Sequence, residues 1–198
     1  MEPTPTGLDP TPARKNPPAT RKQRLLLHIC SALCPPEAIE CLRADYEITG
    51  FFSNSNIAPE PEYWRRLTEA HRLATELGIP FIMDTYDHAE WLESVAGLES
   101  EPEGGARCER CFAFSLSHAA AYAAANGFDN YTTTLSIGPD KDSTTIFRVG
   151  REQGPFLEVN LKKKDGFRRS LELSRTYDLY REDYCGCEFS RSTPAPSA

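Results

Sequence analysis

The sequence predicts an α/β fold, an open and mostly parallel sheet with helices on both faces, and three observations point there. Short apolar, strand-like runs alternate with helical stretches along the chain. The first run, Arg24 to Cys30, is continuously apolar through Leu25, Leu26, Leu27 and Ile29, which suits a strand buried on both faces. Finally, Cys30, Asp84 and Ser136 fall just past strand-like runs, where open parallel sheets place their ligands. The expected architecture is therefore Rossmann-like, with a cysteine-rich metal site at the C-terminal strand ends.

Residues 1–23 hold six prolines with Thr, Lys and Arg and almost no large apolar side chain, so they read as a disordered arm, and 191–198 as a disordered tail. A single α/β catalytic domain is expected over 24–190. After the first strand, Pro35 and Pro36 start a helix to about Asp45, since proline is tolerated in a first turn. Tyr46 to Ser53 reads as a second strand, and Glu62 to Leu77 as a helix stopped by Gly78-Ile79-Pro80. Phe81 to Asp84 is a third strand and His88 to Val95 a short helix. The Ala-rich stretch from Cys111 to Asn126 is a helix ended by Gly127. Tyr131 to Leu135 is a strand, Asp142 to Gln153 a helix, Pro155 to Asn160 a further strand, and Gly166 to Tyr184 helical.

Twenty-nine acidic against 22 basic residues give a net charge of −7, so no global positive field advertises nucleic acid. No apolar run approaches the roughly 20 residues of a membrane span and no secretion signal opens the chain, so a cytoplasmic protein is expected, a monomer or weak oligomer. Thiols stay reduced there. Seven cysteines, six of them in three close pairs, then argue for a metal or redox centre over structural staples.

The strongest pair is Cys108-Glu109-Arg110-Cys111, delivered by Gly104 and Gly105 to a helix start. A C-x-x-C puts two sulfurs on one side of a single turn, able to share iron, zinc or a disulfide, and the helix N-terminus with Arg107 and Arg110 favours thiolate. Cys30 and Cys34 flank a strand end and can face the same cavity, whereas Cys41, in an apolar helix, reads as core. Cys185-Gly186-Cys187 can close a strained disulfide or grip one metal. His28 reads as a core histidine close to the site, and Trp64 and Trp91 as packing. Lys162, Lys163, Lys164, Arg168 and Arg169 bring five cations within nine residues, a solvated loop by default but placed to contact an RNA backbone. Ser136 to Lys141 follows a strand and could cradle phosphate or ribose.

Taken together, His28-Ile29-Cys30, Asn54-Ser55-Asn56-Ile57 with Glu62-Tyr63 and Arg66, Glu101 to Phe112, Thr133-Thr134-Leu135 with Pro139 and Lys141, and Tyr180-Arg181 with Tyr184-Cys185-Gly186-Cys187 resemble the QueH-type epoxyqueuosine reductases. The likeness runs from about Arg24 to Ser190. It implies a 4Fe-4S enzyme without cobalamin that acts on a tRNA anticodon loop with an external electron donor. The reaction implied is the last step of queuosine synthesis, a two-electron removal of the epoxide oxygen from the wobble nucleoside, with the oxygen leaving as water. The resemblance assigns Cys30, Cys108 and Cys111 to the cluster and Cys185 and Cys187 to a redox-active pair.

The chain departs from the family at Ser31, where a second cysteine is expected, and at Ser53 and Ser55, which stand for an aromatic and a proline. Cys34 or a member of the C-x-C then completes the ligand set, or one iron is left open to substrate, solvent or one additional iron. Tyr184, Asp84 and His28 are candidate proton donors by position. The competing readings are a related reductase with a changed substrate and a non-catalytic metal protein that binds RNA or a partner. A metal-free thiol–disulfide oxidoreductase built on Cys185 and Cys187 is a third.

Overall fold

The computed structural model describes residues 21–31, 35–138, 141–162 and 165–190. Residues 1–20 of the arm expected over 1–23, the tail over 191–198, Cys34, Pro139, Lys163 and Lys164 lie outside the described residues, while Gln23, expected to end the arm, instead opens the first strand.

Among the described residues, four parallel strands form one sheet in the order β3-β2-β1-β4: β1 (Gln23–His28), β2 (Tyr46–Phe52), β3 (Phe81–Met83) and β4 (Asn130–Thr133). Gln23 is in register with Tyr46 and His28 with Phe51, while Leu25 faces Asn130 on the other side. Between the strands run α1 (Pro35–Leu42), α2 (Glu60–Leu77), α3 (His88–Ser94) and α4 (Ala106–Ala125), followed after β4 by α5 (Ser143–Gln153) and α6 (Gly166–Thr176). None of these helices is long and apolar enough to cross a membrane.

Because side chains alternate along a strand, β1 feeds two cores at once. Leu25, Leu27 and Ile29 pack with α1 and α2 through Ile39, Tyr63, Leu67 and Leu73. Leu26 faces the other way, into Leu116, Ala119, Ile146 and Val149 of α4 and α5. Leu25, Leu26 and Leu27 are wholly buried, which stabilises by about 1.5–3 kcal/mol apiece. A third, small cluster joins Trp91 and Val95 to Cys187.

The elements follow the sequence pattern except where particular bonds override it. The segment from Pro155 pairs with β4 only at a bridge between Tyr131 and Phe156. Pro155 has no N–H to give, and the carbonyls of Leu157 and Val159 are taken by the hydroxyls of Thr132 (2.8 Å) and Ser136 (2.9 Å) instead of by a ladder. The final helix stops at Thr176, far short of Tyr184, because Asp178 turns left-handed (φ 47°) and Leu179 N–H closes back on the Ser174 carbonyl. Cys41 is exposed, not core: Ala38, Ile39 and Leu42 form the inward face of α1, and the Cys41 thiol lies off that face, donating to Glu37 Oε1 at 3.3 Å. Trp91 packs as expected, whereas Trp64 is 45% exposed on the outer face of α2.

Gly150 shows how tightly α5 is seated. A Cβ there would stand 2.6 Å from the Phe156 ring, and the Gly150 carbonyl already accepts from the Tyr131 hydroxyl at 2.6 Å. Gly150→Ala is expected to destabilise the fold by about 1–3 kcal/mol through overpacking. Phe156→Leu combined with it should recover part of the loss in a denaturant titration; equal losses in single and double variants would refute the contact as the cause.

Candidate functional site

The strand order places β1 beside β4 although β2 and β3 lie between them in sequence, so the chain reverses direction across the sheet at the β1/β4 junction. Loops leaving the two strands diverge there and open a crevice. A cavity of about 170 Å³ occupies it, walled by His28, Cys30, Ser31, Cys111, Lys141, Glu182 and Cys185 among others. The two loops are stitched together at its floor. Cys30 N–H donates to Thr134 Oγ1 at 3.1 Å, and the Cys30 sulfur lies 3.2 Å from the same hydroxyl.

Cys111 enters from the first turns of α4 and Cys185 from the irregular segment after α6. Lys141 lies among these sulfurs. Its ammonium donates to Cys185 Sγ at 3.0 Å and sits 5.5 Å from the centre of the Phe112 ring. Burial works against that charge, but Cys185 first, then Cys30 and Cys111, outweigh it and hold Lys141 above the ordinary lysine range. Burial pushes the Cys111 thiol up, Cys185 adds to the rise, and the neighbouring Trp91 indole and Lys141 oppose it. Cys108 is buried on the next side of the helix, where its sulfur accepts from Gly104 N–H at 3.2 Å and lines an adjoining cavity that shares Phe112 and Lys141 as walls. Cys187 turns away from the first cavity into the Trp91 cluster, its thiol raised by burial and by Cys185. Cys185 and Cys187 are both free thiols.

Among the described residues no three His, Cys, Asp or Glu side chains stand in common metal-binding range. The donor chemistry nevertheless suits iron and sulfide: Cys30, Cys111 and Cys185 converge from three separate elements and already share one buried positive charge, while Cys108 lies one helical step away.

Arg107 does not serve the thiols of its own helix turn. Its guanidinium is buried and clamps the Glu99 (2.8 Å) and Glu101 carbonyls, fixing the loop that leads into α4. The Ser136 hydroxyl is buried and spent on Val159, so it cradles no phosphate. Of the basic cluster, Lys162 Nζ bonds the Lys141 carbonyl, Arg169 pairs with Glu37 (2.8 Å) and Glu40 (2.6 Å), and Arg168 pairs with Asp165 (2.8 Å).

His28 is both a satisfied core histidine and a wall of the cavity. Its Nε2–H must donate to the Ser53 carbonyl (3.1 Å), so Nδ1 accepts from the Thr133 hydroxyl (2.8 Å), and burial lowers its pKa to about 4. It stays neutral with both nitrogens engaged, which removes it as a proton donor. Asp84 is held away from the cavity by Ser53 (2.7 Å) and His118 (2.8 Å). Tyr184 lines the cavity and gives its hydroxyl to the Ala58 carbonyl at 2.6 Å.

Two residues of the site escape a reading by spacing. Arg66, buried in α2, donates to Glu62 Oε1 at 2.7 Å and to the carbonyls of Tyr184 (3.1 Å) and Cys185 (3.2 Å). Its arginine–glutamate spacing of four was visible; its reach across 119 residues was not. Glu182 is the acid in the cavity wall, and its Oε1 is buried without a hydrogen-bond partner, 4.0 Å from Arg66 Nε. Glu62 takes the guanidinium at close range, so burial dominates at Glu182 and raises its pKa to about 7, against the opposing pull of Arg66 and a Ser31 hydrogen bond.

This carboxyl folds comfortably only while protonated. Its contribution is fully present below the ordinary value of 4.5 and is lost as pH rises through about 7. Glu182→Gln should therefore match the parent near pH 4.5 and exceed it in unfolding free energy by up to about 3 kcal/mol near pH 8.5. A difference independent of pH would refute the shift.

A family model described as epoxyqueuosine reductase QueH matches residues 25–193. Epoxyqueuosine reductase QueH of Streptococcus pyogenes serotype M1 is 38% identical over 177 residues, covering 84% of this chain and 69% of that protein. The Acinetobacter baylyi protein of the same name is 39% identical over 176 residues, covering 84% and 80%, and that of Thermotoga maritima 30% identical over 174 residues, covering 84% and 89%. Among solved structures, the U34-tRNA thiolase NcsA from Methanococcus maripaludis, described with its 4Fe-4S cluster, superposes with a TM-score of 0.57 at 10% identity, over 86% of this chain and 62% of that one. At that identity the likeness speaks to the fold alone, an α/β sheet covered on both faces. The family match over most of the chain, and relatives at these identities along most of their own length, show that the chain belongs to the epoxyqueuosine reductase QueH family.

Proposed function

We propose that this chain is an epoxyqueuosine reductase, acting as a single domain over 24–190 on the wobble nucleoside of a tRNA anticodon loop in the cytoplasm. The observation that carries the reading is the convergence of Cys30, Cys111 and Cys185 on Lys141 at the β1/β4 crevice, in a chain of this family. The reaction breaks both C–O bonds of the epoxide, forms a C=C bond, and consumes two electrons and two protons as the oxygen leaves as water. A 4Fe-4S cluster held by Cys30, Cys108 and Cys111, with Cys34 or a member of the C-x-C pair as the fourth ligand and place for one additional iron, would relay electrons one at a time; cobalamin has no part.

The chain's own groups do the rest. Lys141 keeps a positive charge beside the sulfurs, and Glu182 holds a proton in the cavity wall. With Cys34 as the fourth ligand, Cys185 and Cys187 are left to form the dithiol that gives up two electrons and two protons on closing a disulfide, which an external donor then reopens. Gly186 makes such a hinge feasible: its φ of 130° is one that side-chain-bearing residues avoid, and a Cβ would press on Ile57 at 3.1 Å and Asn56 at 3.2 Å. The monomer or weak oligomer expected from the sequence completes the proposal.

Anaerobic purification with iron and sulfide reconstitution, read by iron content and visible absorption and followed by assay on epoxyqueuosine tRNA, tests the reading. About four irons per chain with turnover is the expected result, and both should be lost in Cys108→Ser and Cys111→Ser. A colourless zinc protein, or a cluster without turnover on this tRNA, would move the reading to a binding role or a changed substrate.

The cations Lys162, Lys163, Lys164, Arg168 and Arg169 are proposed to meet the RNA backbone. Affinity for tRNA should then fall steeply with salt, and neutralising Lys162, Lys163 and Lys164 together should reduce the log–log slope by roughly 2. An unchanged slope would reject this patch.

A further inference from the structure

We infer that Phe167, on α6, is the stacking platform for the nucleobase of the nucleotide being reduced, holding the base at the cavity mouth while its epoxide-bearing group reaches the sulfurs; this rests on the reductase reading above. Four large apolar side chains are exposed among the described residues, Trp64, Met83, Leu92 and Phe167, and Phe167 is the one of the four that lines the cavity. A singly exposed apolar residue needs no explanation. Its position here does.

Phe167, Ser170 and Leu171 fall at helical spacing i, i+3, i+4, so one face of α6 makes one wall of the cavity. Deeper in that wall Ser170 is buried, its hydroxyl tied to the Phe167 carbonyl at 2.7 Å, while Phe167 remains 39% exposed. The wall therefore runs from a buried polar end to an apolar ring open to solvent, which marks Phe167 as the rim.

Size decides what reaches the floor. At about 170 Å³ the cavity falls below the roughly 300–1,000 Å³ that drug-sized ligands occupy, and a cluster on its cysteines would take up part of that space, so a whole modified nucleoside does not fit inside. Cys30, Cys111 and Cys185 line the interior, so the epoxide must be the part that goes in. The flat base then stays at the mouth, against the aromatic face that Phe167 presents. Stacking of this kind is worth roughly tenfold or more in affinity per base and tolerates any base. Arg168 follows Phe167 in the sequence, and its pairing with Asp165 joins side chains 73% and 70% exposed, a contact weak enough in water to yield to the nucleotide's phosphate.

The test uses the full chain and an anticodon stem–loop RNA carrying 2-aminopurine at the wobble position, whose fluorescence falls on stacking. The parent protein should quench it. Phe167→Ala should abolish the quench and weaken binding roughly tenfold, Phe167→Tyr should restore both, and Trp64→Ala, an equally exposed aromatic outside the cavity, should behave as the parent. In turnover, Phe167→Ala should raise KM for tRNA with kcat within about twofold, the mark of binding shared by ground and transition states. Equal quenching by the parent and Phe167→Ala, or no quenching by the parent, overturns the inference. Quenching that depends on Phe167 in a protein that never reduces epoxyqueuosine supports the platform and sinks the reductase reading; turnover indifferent to Phe167 sinks the platform alone.

Discussion

The site depends on a buried guanidinium. Arg66 is almost fully removed from water, and a charge so placed must find acceptors inside the protein. It finds them in Glu62 on its own helix and in the backbone of Tyr184 and Cys185. That backbone belongs to a stretch with neither helix nor strand to locate it, so the arginine does the locating. The Tyr184 ring lies under the guanidinium, 4.9 Å away, and the Gly186 carbonyl accepts from Ala58 N–H at 2.9 Å. Lys141 then meets Cys185 from the opposite wall. Two buried cations thus fix a C-x-C segment that secondary structure leaves unassigned, and removing either would strand the acceptors arranged around it.

The serines read from the sequence as departures from the family pattern are part of the scaffold next to that segment. The Ser53 hydroxyl donates to Asp84 while its carbonyl holds His28, and Ser55 accepts Asp87 N–H at 3.0 Å on its hydroxyl and His88 Nδ1–H at 2.7 Å on its carbonyl. His88 carries the connection on to Glu188, 3.1 Å from its other nitrogen. Small hydroxyls at 53 and 55 therefore exchange packing volume for bonds between the β2 loop, the start of α3 and the end of the chain. Ser31 does likewise toward Glu182, supplying a hydrogen bond in the position where its relatives are expected to carry sulfur.

Much of this was legible in the sequence because it is local. Period and composition mark β1, α2 and α4, and the glycines before Cys108 mark the entry to α4. The cysteine pairs announced a site, and the alternation of elements announced where in the sheet it would lie. What stayed hidden is what depends on distant partners. Nothing near Glu182 reveals that Glu62 has already claimed the guanidinium beside it, and nothing near Lys141 reveals three sulfurs from 44 and more residues away or, in Cys111, from 30. The strand expected after Pro155 failed because two hydroxyls from β4 and the turn beyond it compete for its carbonyls, and local propensity carries no trace of that competition. Cys41 and Trp64 were misplaced for a simpler reason: a short helix and an outer helical face expose residues whose type alone suggests burial.

The single bridge between Tyr131 and Phe156 has a consequence for how copies of the protein meet. With Leu157 N–H given to the Tyr131 carbonyl and the Pro155 carbonyl taken by Tyr131 N–H, the outer side of β4 has few open groups to offer. The opposite border of the sheet is β3, only three residues long. Neither margin presents the long, flat row of unsatisfied amides from which strand-by-strand aggregation grows. A chain whose cysteines gather at one end of the sheet is thereby spared the commonest route by which β-structure recruits its neighbours into fibres.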